Sequence, residues 1–162
     1  MKIPQMFLVA SVIWVIAGCG DQPGIPDMAG PWSLTLTPHA ASSSAPLPGV
    51  SLAVTFTQDS NTLSGTLTSV DNQSQACLQD LSSMDKVTIS GRVMRPGGGD
   101  VPPLNLSLTL DFVPSGSSGT KSILLNGGIA NGTQTVNGIY QIQGASADCL
   151  EGMYTLTRTN RR

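Results

Sequence analysis

The chain has 162 residues, a formal net charge of −2, 40% hydrophobic residues and only 11% charged residues. Its basic side chains are few and scattered apart from the tail of Arg158, Arg161 and Arg162, so the composition excludes a nucleic-acid-binding protein. Low charge combined with this hydrophobic content argues against disorder of the whole chain and favours a single globular domain.

The amino terminus has the layout of an export signal. Lys2 is followed by an apolar run over residues 6–17, interrupted only by Ser11, and small residues precede Cys19. A transmembrane helix needs about 20 apolar residues, so this run is too short to be one. An ordinary cleaved signal peptide also fits the small residues before Cys19.

Residues 16–19, Ile-Ala-Gly-Cys, resemble the aliphatic–small–small–Cys lipobox of bacterial lipoproteins. The resemblance implies a signal peptide over residues 1–18, thioether lipidation of Cys19 and acylation of the new amino terminus. Acyl chains contribute about 0.8 kcal/mol per buried methylene, so a multiply acylated cysteine anchors the protein firmly. In such lipoproteins an Asp directly after the cysteine favours the inner membrane. Gly20 holds that place here, and we expect anchoring in the bacterial cell envelope, with the outer membrane favoured.

Residues 19–30 contain two prolines and three glycines and predict a semi-extended, lipidated tether. Removal of residues 1–18 leaves 144 residues, which is the size of one domain. We therefore expect the folded domain to cover residues 31–162.

From Trp32 onward, apolar and small polar residues alternate, which is typical of half-buried antiparallel strands. Eight such stretches are separated by turn-forming residues. Sequential hairpins must bury one face and hide their edges, and closure into a barrel does both. We predict an all-β fold, an eight-stranded antiparallel up-and-down β-barrel, with a two-sheet β-sandwich as the alternative. The expected strands cover residues 32–37, 50–57, 63–68, 87–93, 104–112, 123–129, 136–142 and 150–158.

Five glycines fall in the inward register near the centres of these strands. Glycine inside a strand marks a kink, a bulge or a close approach, and strongly coiled barrel strands need such relief. Each glycine also leaves interior space, which aromatic side chains either fill completely or leave in part as an apolar cavity. The glycines are Gly65, Gly91, Gly127, Gly138 and Gly152, and the aromatic candidates are Trp32, Phe56, Phe112, Tyr140 and Tyr154.

Arg158 is the one charged residue in the predicted inward register. A buried charge is costly unless it is paired or stacked, so we expect its guanidinium to lie over the indole of Trp32 on the neighbouring first strand. Gly30, Trp32 and Arg158 resemble the calycin superfamily of lipocalins, fatty-acid-binding proteins and avidins, which has Gly-x-Trp on its first strand and Arg on its last. The resemblance implies the barrel fold and a closing role for these three residues, but no particular ligand. More broadly, the chain resembles small Gly/Thr-rich bacterial lipoproteins.

Cys77 and Cys149 remain once Cys19 is assigned to the lipid. An even pair in an oxidising compartment predicts a disulfide. Two free thiols or a redox pair are the competing interpretations, although no Cys-x-x-Cys spacing supports them.

No catalytic or metal-binding constellation is evident. His39 is the only histidine and has no partners at ligand spacing, and there is no Gly-x-Ser-x-Gly motif. We therefore expect neither enzymatic activity nor a cofactor. Two functional hypotheses remain: a barrel that binds a small apolar ligand in its interior, or a solid scaffold that docks protein or glycan partners through loops such as residues 40–48 and 113–120.

Overall fold

A computed structural model describes residues 24–39, 49–72, 84–95, 104–114, 118–129, 134–143 and 151–159, with the backbone alone at residues 72 and 84–86. The regular structure in these ranges consists of β-strands, and none of it is a helix long and apolar enough to cross a bilayer. The strands are β1 (Gly30–Pro38), β2 (Val50–Asp59), β3 (Thr62–Asn72), β4 (Met84–Met94), β5 (Leu104–Pro114), β6 (Lys121–Ile129), β7 (Thr135–Gln143) and β8 (Glu151–Arg158).

The eight strands form a closed antiparallel barrel in sequence order. Each strand pairs with the next, and β8 pairs with β1 along a ladder from Trp32–Arg158 to Pro38–Gly152. The predicted eight-stranded up-and-down barrel is therefore confirmed. The sandwich alternative is wrong, because the first and last strands pair with each other and close the sheet into one barrel.

Burial alternates along the strands, as the sequence pattern predicts. In β1 the side chains of Trp32, Leu34 and Leu36 are buried, whereas the intervening Ser33 and Thr35 are partly exposed. The same alternation runs through the whole of β5. The hydrophobic core is thus the barrel interior, and each fully buried leucine-sized side chain stabilises the fold by roughly 1.5–3 kcal/mol.

Because consecutive strands are antiparallel, the connections alternate between the two ends of the barrel. The Arg158 end is where β1 begins and β8 ends, and it carries the tight turn Ser60–Asn61, in which Ser60 has a φ of 57°. The Pro38 end is where β1 ends and β8 begins. Residues 40–48, 73–83, 115–117 and 144–150, which lie outside the described ranges, connect strands that end there.

The barrel wall is irregular at β3. The β2–β3 register shifts after Ala53, where the Thr68 hydroxyl donates to the Ala53 carbonyl over 3.0 Å. The β3–β4 ladder then covers four residue pairs, from Thr62–Arg92 to Gly65–Ile89. A bulge increases the local twist of a strand, so β3 diverges from β4 toward the Pro38 end.

Gly127 and Gly128 are adjacent in β6, and alanine substitutions at the two positions test which of them faces the barrel interior. A Cβ on Gly127 would meet Tyr154 Oη and would lie 2.5 Å from the Asn137 carbonyl oxygen, whereas a Cβ on Gly128 meets nothing within 4 Å. We expect Gly127→Ala to lower the free energy of unfolding by about 1–3 kcal/mol. Gly128→Ala should leave it unchanged or slightly raised, because alanine restricts the unfolded chain. Chemical denaturation measures both, and equal destabilisation by the two variants would contradict this register.

Candidate functional site

Gly30, Trp32 and Arg158 lie together at the Arg158 end. Trp32 and Arg158 are paired across β1 and β8, and the Arg158 guanidinium carbon lies 5.7 Å from the centroid of the indole. Gly30 has a φ of +110°, a conformation that favours glycine, and a Cβ there would lie 3.7 Å from Arg158 Nη2. The structure thus places all three residues, which the sequence predicted to close the barrel, in one cluster.

The segment before β1 covers this end of the barrel. Met28 is only 2% exposed, and its carbonyl accepts a hydrogen bond of 2.8 Å from the indole nitrogen of Trp32. Arg158 donates to the carbonyls of Asp27 and Ala29 and lies 3.5 Å from the Asp27 carboxylate. A guanidinium satisfied by two carbonyls, one carboxylate and an aromatic face can remain at the rim of an apolar interior.

Gln58 holds the same segment from the other side. Its side-chain oxygen accepts from the backbone N–H of Met28 over 2.6 Å, and its side-chain nitrogen donates to the carbonyls of Pro26 and Ser60. The predicted tether covered residues 19–30, yet residues 26–29 are hydrogen-bonded to the barrel and Met28 is buried against it. The physical reason is that burial of Met28 and these hydrogen bonds outweigh the intrinsic preference of a Pro/Gly-rich stretch for extended, solvated backbone.

The roles of Met28 and Gln58 were missed by sequence reasoning. Met28 lies four residues before Trp32 in a stretch whose prolines and glycines indicate a linker, and Gln58 lies in a predicted turn. An apolar residue shortly before the first strand was the one available signal. It could not identify Gln58, because that contact joins residues 30 positions apart.

The interior space beside the glycines is occupied by side chains from neighbouring strands. A Cβ on Gly152 would lie 2.6 Å from Tyr140 Cε1, and a Cβ on Gly138 would lie 2.6 Å from Tyr154 Cε1. Tyr140 is the cross-strand partner of Gly152, and Tyr154 is that of Gly138. Each ring therefore packs against the glycine opposite it, an arrangement known to compensate for glycine in a sheet. Tyr154 reaches further, to Gly127 on β6.

A second group of predicted cavity residues lies around β2, β3 and β4. Phe56 packs over its cross-strand partner Gly65, and its ring meets Trp32 edge-on at a centroid distance of 6.5 Å. Gly91 is packed by Leu108, an aliphatic residue where the sequence suggested an aromatic one.

Phe112 is buried near the Pro38 end, paired with Val87 and Lys121. The predicted cavity residues therefore occupy different parts of one hydrophobic core. Tyr140, Tyr154 and their glycines form one group, and Phe56 with Gly65 forms another.

The hydroxyl groups of Tyr140 and Tyr154 are the chemically distinctive feature of this interior. The two residues are 0% and 1% exposed, and neither hydroxyl has a hydrogen-bond partner within the described part of the chain. Burial raises the pKa of Tyr154 to about 12 and raises the pKa of Tyr140 as well, because the phenolate would lose its hydration. Both phenols therefore remain neutral donors at physiological pH, able to bind an internal water or a polar group of a ligand.

The three cysteines, Cys19, Cys77 and Cys149, lie outside the described residues, so lipidation and the disulfide stay predictions. The strands that flank Cys77 (β3 and β4) and Cys149 (β7 and β8) have their flanking termini at the Pro38 end. The two cysteine-bearing connections thus join strands at the same end of the barrel.

His39 lies at the Pro38 end, where its backbone N–H donates to the Glu151 carbonyl. Its side chain borders a shallow cleft on the outer wall together with Ile139 and Met153, two of the exposed apolar residues. Within the described ranges, no three His, Cys, Asp or Glu side chains are grouped so as to hold a metal ion.

Comparison of the chain with protein-family models, curated proteins and solved structures yields no significant match. The observed eight-stranded antiparallel barrel is consistent with the calycin-like fold that Gly30, Trp32 and Arg158 suggest. The functional inference therefore depends on the residues and geometry of the barrel itself.

The substitution Tyr154→Phe tests the state of the unpartnered hydroxyl. At neutral pH we expect the free energy of unfolding to stay the same or to rise by about 1 kcal/mol, because the substitution removes a buried donor without a partner. Tyrosine in an unfolded chain has a pKa near 10, and burial raises the pKa of Tyr154 in the folded protein to about 12. The wild-type protein should therefore lose stability as the pH rises from 10 through 12, and Tyr154→Phe should lose less.

Denaturant titrations at pH 8, 10 and 11 measure this difference, with the exposed Met153→Leu as the neighbouring control. A loss of more than about 1 kcal/mol at pH 8 in Tyr154→Phe would show that the hydroxyl is hydrogen-bonded in solution.

Proposed function

We propose that this protein is a lipid-anchored β-barrel of the bacterial cell envelope that acts as an interaction scaffold, docking protein or glycan partners through the connections at its Pro38 end. The observation that supports a scaffold is the packing of Phe56, Leu108, Tyr140 and Tyr154 into the spaces left by the inward glycines. Side chains that fill the interior at these positions leave the external surface and the connections as the parts available to a partner.

The anchor in this proposal is Cys19, on the strength of the lipobox-like residues 16–19. We also assign the barrel to the calycin-like fold. This assignment is supported by Trp32 and Arg158, which hold the first and last strands together. The predicted disulfide between Cys77 and Cys149 would stabilise the Pro38 end by linking two of its connections.

The lipid anchor is tested by expressing the wild-type chain and Cys19→Ser in bacteria and separating the membrane fraction from the soluble fraction. We expect the wild-type chain in the membrane fraction, with an acylated amino terminus detected by mass spectrometry, and the variant in the soluble fraction, because the acyl chains supply the membrane affinity. Ser42→Cys supplies no lipobox and serves as the control for a change in cysteine content. A wild-type amino terminus without acyl groups would contradict the proposal.

The scaffold is tested by crosslinking of intact envelopes. Replacement of residues 40–48 by a Gly/Ser linker of the same length removes the Ala, Pro and Leu side chains of one connection at the Pro38 end. Ser60→Gly with Asn61→Gly alters the Arg158 end as a matched control. Partner crosslinks should be lost in the first variant and retained in the second. The same crosslinks from both variants would contradict docking at the Pro38 end.

A second candidate function is binding of a small ligand with an apolar body and a polar head inside the barrel. The Tyr140 and Tyr154 hydroxyls favour it, since they have no partner in the described ranges and a polar head group would supply an acceptor. Displacement of a fluorescent fatty acid by candidate lipids measures this binding. Tyr154→Phe should weaken it up to about tenfold, the value of one hydrogen bond, whereas the outward-facing Met153→Leu should not. Absence of displacement by every lipid class would eliminate this candidate.

A further inference from the structure

The barrel wall has a gap between β3 and β4. The ladder between these strands covers four pairs, from Thr62–Arg92 to Gly65–Ile89, and no further pair joins the described residues of the two strands. Residues 66–72 of β3 and 84–88 of β4 therefore extend beyond the ladder toward the Pro38 end. We call the space between these two stretches the β3–β4 gap.

Both strands that border the gap are irregular on their other side. The β2–β3 register shifts between Ala53 and Val54, where Thr68 is the extra residue of β3, and the β4–β5 register shifts between Met84 and Val87. An extra residue bends a strand and increases its twist. These two irregularities account for the separation of β3 from β4.

The hydrophobic core is incompletely covered at the gap. Three apolar side chains in the described ranges pack against the core and remain partly exposed, namely Leu67, Val70 and Val87. All three belong to the stretches that extend beyond the ladder. The inward apolar side chains of the other six strands are at most 5% exposed. An extended chain along the gap would complete the cover of the core.

The β3 side of the gap has the properties of an unprotected strand edge. Proteins protect such edges with proline, lysine or a bulge. Residues 66–71 contain no proline and no lysine, and the extra residue Thr68 interrupts the ladder with β2, on the opposite edge. The exposed side chains Thr66, Thr68 and Ser69 are small, and Asp71 is the one charge of this stretch. The edge thus offers backbone donors and acceptors to another strand.

We propose that residues 66–71 of β3 bind an extended segment of a partner protein, which adds to the barrel wall as a strand antiparallel to β3, in the place that β4 leaves. This inference rests on the scaffold of the proposed function and specifies one mode of docking near the Pro38 end. Main-chain hydrogen bonds supply affinity in such pairing, and side chains at alternate positions supply specificity.

The gap also indicates the chemistry of the partner segment. Apolar side chains at every second position would face inward and cover Leu67 and Val70. Asp71 lies near the carboxyl end of β3, so a basic residue near the amino end of an antiparallel segment would face it across the two strands. A second copy of this edge has no basic residue within 66–71 to offer Asp71, which favours a different protein.

The proposal is tested by fluorescence polarisation with the mature chain, residues 19–162, carrying Cys19→Ser so that no lipid is attached. The probe is a fluorescein-labelled heptapeptide that begins with lysine and then alternates valine and threonine. Two further versions carry N-methyl groups either on the valines alone or on the threonines alone. Because successive residues of a strand direct their N–H groups to opposite edges, each version blocks one edge of the peptide.

The valines must face the core, so only one edge of the peptide can pair with β3. The two methylated versions have the same side chains and the same number of methyl groups, yet their affinities should differ by about tenfold or more, the value of one to three hydrogen bonds. Equal affinities of the two versions, or no binding of the unmethylated peptide, would overturn the proposal.

The place of binding is tested with Thr66→Lys and Ser69→Lys combined, since lysine on an edge discourages strand addition. These exposed side chains would also repel the lysine of the peptide, and the affinity should fall by about tenfold or more. Gln141→Lys with Gln143→Lys adds the same charge to exposed positions of β7, which is paired with β6 and β8, and should change the affinity by less than about threefold. The same loss in both pairs of variants would contradict binding at β3.

Amide hydrogen exchange, followed by NMR on the same chain, distinguishes a partner from the other possible occupants. The amides of residues 66–71 that point away from β2 should exchange rapidly in the free protein and become protected by the peptide. Protection without peptide that rises with protein concentration would show that a second copy covers the edge. Protection that is independent of concentration would show that the chain covers its own edge, and either result would overturn the proposal.

The peptide and exchange experiments use neither the lipid anchor nor the native partner. An unlipidated Cys19, or crosslinks that are unchanged by replacement of residues 40–48, would defeat the proposed function and leave the result at the β3 edge standing. Failure of the peptide to bind would in turn leave the crosslinking result unaffected.

Discussion

Pairing of the first strand with the last is the constraint on which the rest of this structure depends. An open sheet of eight strands would expose the N–H and C=O groups along its first and last strands, whereas the β1–β8 ladder pairs these two strands with each other. Closure also directs the inward side chains of all eight strands into one shared interior, which must be filled to the density of a protein core. The Arg158 guanidinium over the Trp32 indole secures the closing ladder at one end.

The glycines and aromatic residues of the interior form complementary pairs across neighbouring strands. Tyr140 lies over Gly152 and Tyr154 over Gly138, so the ring on one strand occupies the volume that the glycine leaves on the next. This packing gives the wall a coil that larger side chains would obstruct. It also buries two phenolic hydroxyls that have no hydrogen-bond partner among the described residues. A buried donor of this kind is costly, so the Tyr140–Tyr154 region is where an internal water or a ligand head group would gain most.

The segment before β1 connects the fold with the proposed location of the protein. Met28 covers the barrel end, and the hydrogen bonds of Gln58 and Arg158 hold the backbone on either side of it. The same contacts leave only a short chain between the barrel and Cys19. A segment that covers the core at one end therefore also sets which end of the barrel lies nearest to the proposed anchor.

Alternation from Trp32 to Arg158 was sufficient to predict the eight strands and their inward residues, because a two-residue period assigns each side chain to a face by local geometry alone. The closing contact of Trp32 with Arg158 was predictable too, since an inward charge needs a partner on the adjacent strand. Tertiary structure alone decided that Leu108, not an aromatic residue, packs Gly91, and that Met28 and Gln58 join the barrel end. These contacts link residues far apart in the chain, and local pattern holds no information about which distant side chain reaches a given space.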